Sequence, residues 1–207
     1  MSRLRQILWF SLRPMVQLWE RWIESCQVYG RPHRPKLSGD YMYIQSPTLP
    51  LWRSLRAQGQ INPDYLLSLF SVHFPPVDVH GIARQLGVIV HHVSNPGWSG
   101  AVSSTDTRAE VWLAVGDRPV RERFTLAHEL GHLFLHPLGV AYRDAHYEPG
   151  TSTIEAQANN FAASLLMPDW MVRVAMQSTG GDVQRLARLF DVSESAMKYR
   201  LVNLGLR

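Results

Sequence analysis

Two histidines four residues apart, with a glutamate directly after the first, constrain this chain more than anything else in it. They form His128-Glu129-Leu130-Gly131-His132, inside the run Arg123-Phe-Thr-Leu-Ala-His-Glu-Leu-Gly-His-Leu-Phe-Leu-His136. On a helix, residues four apart lie about 40° from each other around the axis, so both imidazoles reach one ion from one face. Glu129 then hangs beside that ion without having to bind it. Two neutral nitrogen ligands, an adjacent base and an open position for water are what metal-assisted hydrolysis requires. With nine histidines among 207 residues, an unplanned match to this pattern is expected only about 0.015 times.

The rest of the chain is ordinary enough to fold around such a site. A length of 207 residues suits one compact domain, or one domain with appendages. Hydrophobic content of 45% and charged content of 18% exclude wholesale disorder. The net charge is +4, and 19 of the 21 basic residues are arginine. That bias suits nucleic acid or an acidic partner without requiring either, and a solvated arginine-rich surface is the simpler account of it. Cys26 is the only cysteine, so no internal disulfide forms and a metal must be held by histidine and carboxylate rather than thiolate. The apolar run near Met1 is broken by Arg13, Pro14, Glu20, Arg21 and Glu24, too early and too often for a membrane span. The short basic start carries only a weak export signal, and the expectation is a cytoplasmic protein.

Periodicity divides the chain into three parts. Residues 1–60 read as a helical N-terminal extension, with apolar residues at helical spacing up to Ile23 and a break near Pro14. A Pro- and Gly-rich arm over 29–50 follows. Residues 61–168 read as the core. Asn62 and Pro63 start a helix, Asp78 caps another that Gly87 ends, and Val88 to Val93 form a strand. Residues 101–104 and 110–115 form a hairpin, and Asp117 and Pro119 start the motif helix, which Pro137 stops. Ser152 or Thr153 caps a helix from Ile154 to Leu166. In residues 169–207, two further helices are expected, in a helix-turn-helix-like arrangement from Val183 to Leu201.

A catalytic zinc usually takes three protein ligands, so a third is needed. No glycine turn and further histidine follow His132 in the metzincin pattern. If the helix continues, His136 is rotated about 80° from His128 and lies about 12 Å along the axis, beyond a shared ion. It reads as a group that orients a ligand or faces substrate, or equally as a packed, hydrogen-bonded histidine. Glu155 is the better third ligand. Ala158, Phe161, Ala162 and Leu165 would bury one face of its helix against the motif helix, and Asn159 could hydrogen-bond a ligand. Taken alone, Glu155 reads more simply as a surface carboxylate in a first helical turn, and two histidines that still lack a ligand reverse that reading. Glu129 is the expected acid/base, taking a proton from water and passing it to the leaving amine. Tyr142, Arg143, His146 and Tyr147, between the two helices, are candidate oxyanion donors, though ordinary loop surface is the simpler reading of each. An exposed edge of the hairpin could hold a peptide in extended form, or the hairpin could be purely structural.

These pieces together resemble the ImmA/IrrE family of zinc metallopeptidases. The matching segments are Pro75-Pro-Val-Asp-Val, the run from Arg123 to His132, Glu155-Ala-Gln-Ala-Asn-Asn-Phe-Ala-Ala-Ser-Leu-Leu-Met-Pro168, and Phe190-Asp-Val-Ser-Glu-Ser-Ala-Met-Lys-Tyr-Arg-Leu201. The resemblance spans about residues 62–207. It implies an α+β zincin-like domain, with a small antiparallel sheet packed on helices and helix-turn-helix-like helices at the C-terminus. It implies Zn2+ on His128, His132 and Glu155, with Glu129 as the catalytic residue. The implied substrate is a protein, an XRE-type helix-turn-helix repressor or an antitoxin, whose cleavage relieves repression. Two other readings compete. One is a DNA-binding regulator with residues 193–204 as recognition helix and Lys198 and Arg200 near phosphates, although Glu194 opposes it. The other is a partner-binding protein with a purely structural zinc site.

Overall fold

The structure, a computed structural model, describes residues 50–59, 61–94, 96–139, 142–143 (backbone) and 153–207. The expected helices before residue 28, the arm over 29–49, Ser152 and the side chains of Tyr142, Arg143, His146 and Tyr147 lie outside the described residues. One compact unit runs from Pro47 to Arg207.

Three short helices open it: α1 (Leu51–Gln58), α2 (Pro63–Leu69) and α3 (Val79–Leu86). The ends of α2 and α3 follow the expected capping chemistry. Asn62 Oδ1 accepts from Tyr65 N at 2.8 Å, with Pro63 in the first turn where no amide hydrogen is missed. Asp78 accepts from Gly81 N at 3.0 Å, and Gly87 ends α3 in the left-handed region. Helix α1 is integral to the interior, because Trp52 and Leu55 are buried.

Strands β1 (Ile89–Ser94), β2 (Gly100–Ser104), β3 (Ala109–Val115) and β4 (Tyr142–Arg143) make one sheet in the order β1-β3-β2-β4. The hairpin pairs as expected, antiparallel from Gly100↔Leu113 to Ser104↔Ala109. The sheet is nevertheless mixed rather than antiparallel. β1 runs parallel to β3, from Ile89↔Glu110 to Ser94↔Val115, because the hairpin doubles back and places its second strand next to β1. Nor does the hairpin offer a continuous free edge. β3 lies between two strands, and β4 pairs with β2 at Ala101 and Val102.

Helix α4 (Pro119–Leu135) carries the motif across β2 and β3 and packs against α5 (Thr153–Leu166). It is buried on every side from Thr125 to Phe134, so the motif lies inside the molecule. Glu122 in its first turns meets His80 Nε2 at 3.3 Å and His92 Nε2 at 3.4 Å, tying α3 and β1 to the helix. At the other end Arg56 of α1 donates to the carbonyls of Leu133 and His136, satisfying acceptors that a helix terminus leaves open.

The tail holds three helices rather than two: α6 (Asp169–Thr179), α7 (Val183–Phe190) and α8 (Glu194–Asn203). Pro168 breaks α5 from α6, and Gly180 ends α6 with a positive φ. Asp182 and Ser193 cap α7 and α8. Arg123 ties this segment to the core through Asp191, at 3.2 Å to its carboxylate, and also donates to Val77 O at 2.9 Å. Among the described residues, no helix is long and apolar enough to cross a membrane.

Candidate metal centre

Helix α4 presents His128 and His132 toward α5, and a glycine makes the approach close. A Cβ at Gly131 would lie 3.0 Å from Ala158 Cα and 3.1 Å from Ala158 O. Absence of a side chain there lets the two helices meet almost backbone to backbone. Glu155, one turn before Ala158, is thereby carried to the histidines. Its carboxylate lies 3.2 Å from His128 Nε2 and 3.4 Å from His132 Nε2, and the two Nε2 atoms are 2.9 Å apart. One ligand atom from each of His128, His132 and Glu155 falls within 4.8 Å of the others.

The surrounding hydrogen bonds decide which nitrogens carry protons. Asn159 Oδ1 faces His128 Nδ1 at 3.0 Å, and a carboxamide oxygen only accepts, so that nitrogen donates. The neutral ring then carries a lone pair on Nε2. On the other histidine, His132 Nδ1 lies 2.9 Å from His136 Nδ1. Burial, and after it the facing His128, push His132 down to about 4, so the ring is neutral near pH 7, as a ligand must be. Glu155 is held below the ordinary carboxylate range, first by its hydrogen bond with His128 and against the opposing effect of burial.

This donor set fits a metal ion. Three lone-pair-bearing atoms converge from two packed helices. By themselves these atoms would set lone pair against lone pair, whereas a divalent cation answers all three. Two imidazoles with one carboxylate is a recognised set for a catalytic transition metal.

Glu129 projects from the same helix and is fully buried (0% exposed). Strand β2 lies directly over it: a Cβ at Gly100 would come within 2.6 Å of Glu129 Oε1 and would also strike Thr125 Cγ2. Sequence reasoning missed this glycine, together with Gly131, Gln157 and Arg56. Glycines inside a strand and a helix were visible signals of close backbone approach; nothing local marked Gln157 or Arg56. His136 does not continue the helix. It takes an extended conformation at the end of α4, as the residue before Pro137 must, and its ring turns back onto His132. In the tail, Arg200 is tied to Met167 O at 2.9 Å and is only partly exposed, which turns it away from the phosphate contact considered for it; Lys198 is exposed.

A mixed α+β domain with a closely packed helix pair presenting two imidazoles and a carboxylate to one point is a helix-borne metal-site domain. Residues 83–202 match the IrrE N-terminal-like domain, and the chain belongs to that family. It is 37% identical over 91 residues to the radiation response metalloprotease IrrE of Deinococcus radiodurans, a match covering 41% of this chain and 28% of that protein. It is 30% identical over 86 residues to the metallopeptidase ImmA of Bacillus subtilis, covering 41% of this chain and 51% of that protein. The chain thus spans about half or less of the length of these relatives. A Mycobacterium tuberculosis transcriptional regulator of known structure aligns with a TM-score of 0.44 at 17% identity, over 72% of this chain and 44% of that one.

Proposed function

We propose that this chain is a zinc-dependent endopeptidase in which His128, His132 and Glu155 hold the metal and Glu129 is the catalytic acid/base. The observation that carries the reading is the convergence of His128 Nε2, His132 Nε2 and the Glu155 carboxylate from two packed helices. The family membership and the printed names of the relatives, a metalloprotease and a metallopeptidase, point the same way. We assign the catalytic core to residues 61–168 with the helical segment 169–207 packed on it, and count α1 with this unit because Trp52 and Leu55 are buried in it.

When bound, zinc supplies a Lewis acid that polarises a carbonyl and lowers the pKa of water. The chain supplies the rest. Asn159 holds the His128 ring so that Nε2 faces inward. Glu129, adjacent in sequence to the first ligand, takes the proton from the attacking water and returns it to the leaving amine. Burial of Glu129 and both histidines keeps bulk water from screening these charges.

For substrate, we propose a protein of the XRE-type repressor or antitoxin class, cleaved in the cytoplasm. This rests on the resemblance to the ImmA/IrrE family. The test uses the zinc-loaded chain and a purified helix-turn-helix repressor. Fragments should appear with wild type and be absent with Glu129→Gln, which should still bind zinc. Cleavage by Glu129→Gln would remove the assigned base, and iron or manganese in place of zinc on elemental analysis would remove the metal assignment.

A further inference from the structure

We propose that His136 is a positioning residue for the metal centre: clamped by Gln157, it accepts a hydrogen bond from His132 Nδ1 and so turns the His132 Nε2 lone pair toward Glu155. The proposal rests on the metal reading of the site given above.

The logic runs inward from α5. Gln157 Oε1 lies 3.2 Å from His136 Nε2, and a carboxamide oxygen can only accept, so His136 carries its proton on Nε2. In the neutral ring Nδ1 is then bare. His132 Nδ1, 2.9 Å away, must donate to it, which leaves His132 Nε2 as the bare nitrogen. That nitrogen faces His128 Nε2 at 2.9 Å and Glu155 at 3.4 Å. Each link has only one proton arrangement that satisfies its neighbour. Reversing the first link would put a proton on His132 Nε2 and abolish the ligand.

The position of His136 is fixed independently of these side chains. It is 3% exposed, its amide donates to His132 O at 3.1 Å, and Arg56 holds its carbonyl. Pro137 restricts it to the extended backbone that turns the ring inward. Helix α5 therefore serves the centre three times, with Glu155 as ligand and with Asn159 and Gln157 orienting one imidazole each, the second through His136. Orientation of a metal-bound histidine by a partner on its other nitrogen sustains metal affinity, and losing such a partner typically costs 10- to 100-fold.

Zinc affinity, measured by chelator competition on the full chain, tests the proposal without reference to activity. His136→Phe keeps the ring volume and removes the acceptor, and should bind zinc about 10- to 100-fold more weakly. His136→Asn places an amide oxygen where Nδ1 stands and should recover most of that loss. Wild-type affinity in the Phe variant overturns the proposal. Equal losses in the Phe and Asn variants also overturn it, because packing alone would then account for His136. If circular dichroism shows the Phe variant unfolded, Gln157→Leu at an exposed position decides: weakened binding supports the clamp, and unchanged binding refutes it. A wild-type chain that binds no zinc defeats the metal reading itself, an outcome distinct from tight wild-type binding with indifferent variants.

Discussion

Replacing Gly131 by alanine pits two effects of opposite sign against each other, and the structure decides between them. In an isolated helix the substitution is favourable by about 1 kcal/mol, since glycine is the poorest ordinary helix former. Here the added Cβ would stand 3.0 Å from Ala158 Cα, 3.1 Å from Ala158 O and 3.2 Å from Phe161 Cβ. Carbon atoms are comfortable at about 3.5–4.0 Å, so α5 must retreat by roughly 0.5 Å. Two of the three obstacles are backbone atoms, and no side-chain rotation relieves them. Forcing one carbon into a close-packed contact costs about 1–3 kcal/mol, which outweighs the propensity gain and leaves a net loss of about 0–2 kcal/mol. The metal should feel the change more than the fold does. Glu155 rides on α5 one turn from Ala158, and metal–ligand distances tolerate only about 0.2 Å. Urea unfolding of the metal-free protein measures the first quantity, and zinc competition against a chelator measures the second. The expected pattern is a modest stability loss with at least about tenfold weaker zinc binding, the scale seen when ligand support is disturbed. A Gly131→Ala protein that is more stable than wild type and binds zinc equally well would refute the claim that this glycine sets the helix spacing.

Other consequences follow from the same geometry. Gly100→Ala pushes a methyl group onto Glu129 Oε1 and Thr125, while the two histidines proposed as ligands face Glu155 of α5. It should abolish most peptide cleavage with zinc content retained, and a fully active variant would contradict the placement of β2 over the acid/base. Glu155→Ala removes one of the three proposed ligands, so zinc stoichiometry by elemental analysis should collapse; unchanged content would strike Glu155 from the set. The pH dependence of the metal-free fold has a definite sign. His132 is lowered from 6.5 to about 4 by burial and by His128, so between those values the unfolded chain binds the extra proton. Its contribution is fully present above 6.5 and is lost as the pH falls toward 4, with the depressed Glu155 adding to the loss below its ordinary range. Urea midpoints of the metal-free chain should decline across that window; a flat profile would contradict the burial of a neutral His132.

Much of this was readable without coordinates because it depends on short-range chemistry. Asn62-Pro63, Asp78 with Gly87, and the stop at Pro137 announced their helix ends through capping, positive φ and ring sterics. The i,i+4 histidines needed only the helix period to share a face. Partner choice between distant segments was not readable. The antiparallel sheet expected from the hairpin became mixed because β1 joined β3, a pairing decided by which edge remained open once the hairpin formed. His136 looked remote from the ion on a continued helix. Unwinding ahead of Pro137 instead folded its ring back onto His132.

The sequence by itself therefore determined the local elements and the pair of imidazoles, since both follow from backbone preferences within a few residues. Glu155, 23 positions beyond His132 in the chain, was legible as a candidate from the apolar face of its helix, and tertiary structure alone decided how near it comes to that pair, that Gln157 reaches His132 through His136, and that β2 lies over Glu129. Each of these depends on how closely two backbones approach, and that distance is set at Gly131 and Gly100 by the absence of a side chain, which acquires meaning only once the opposing surface is in place.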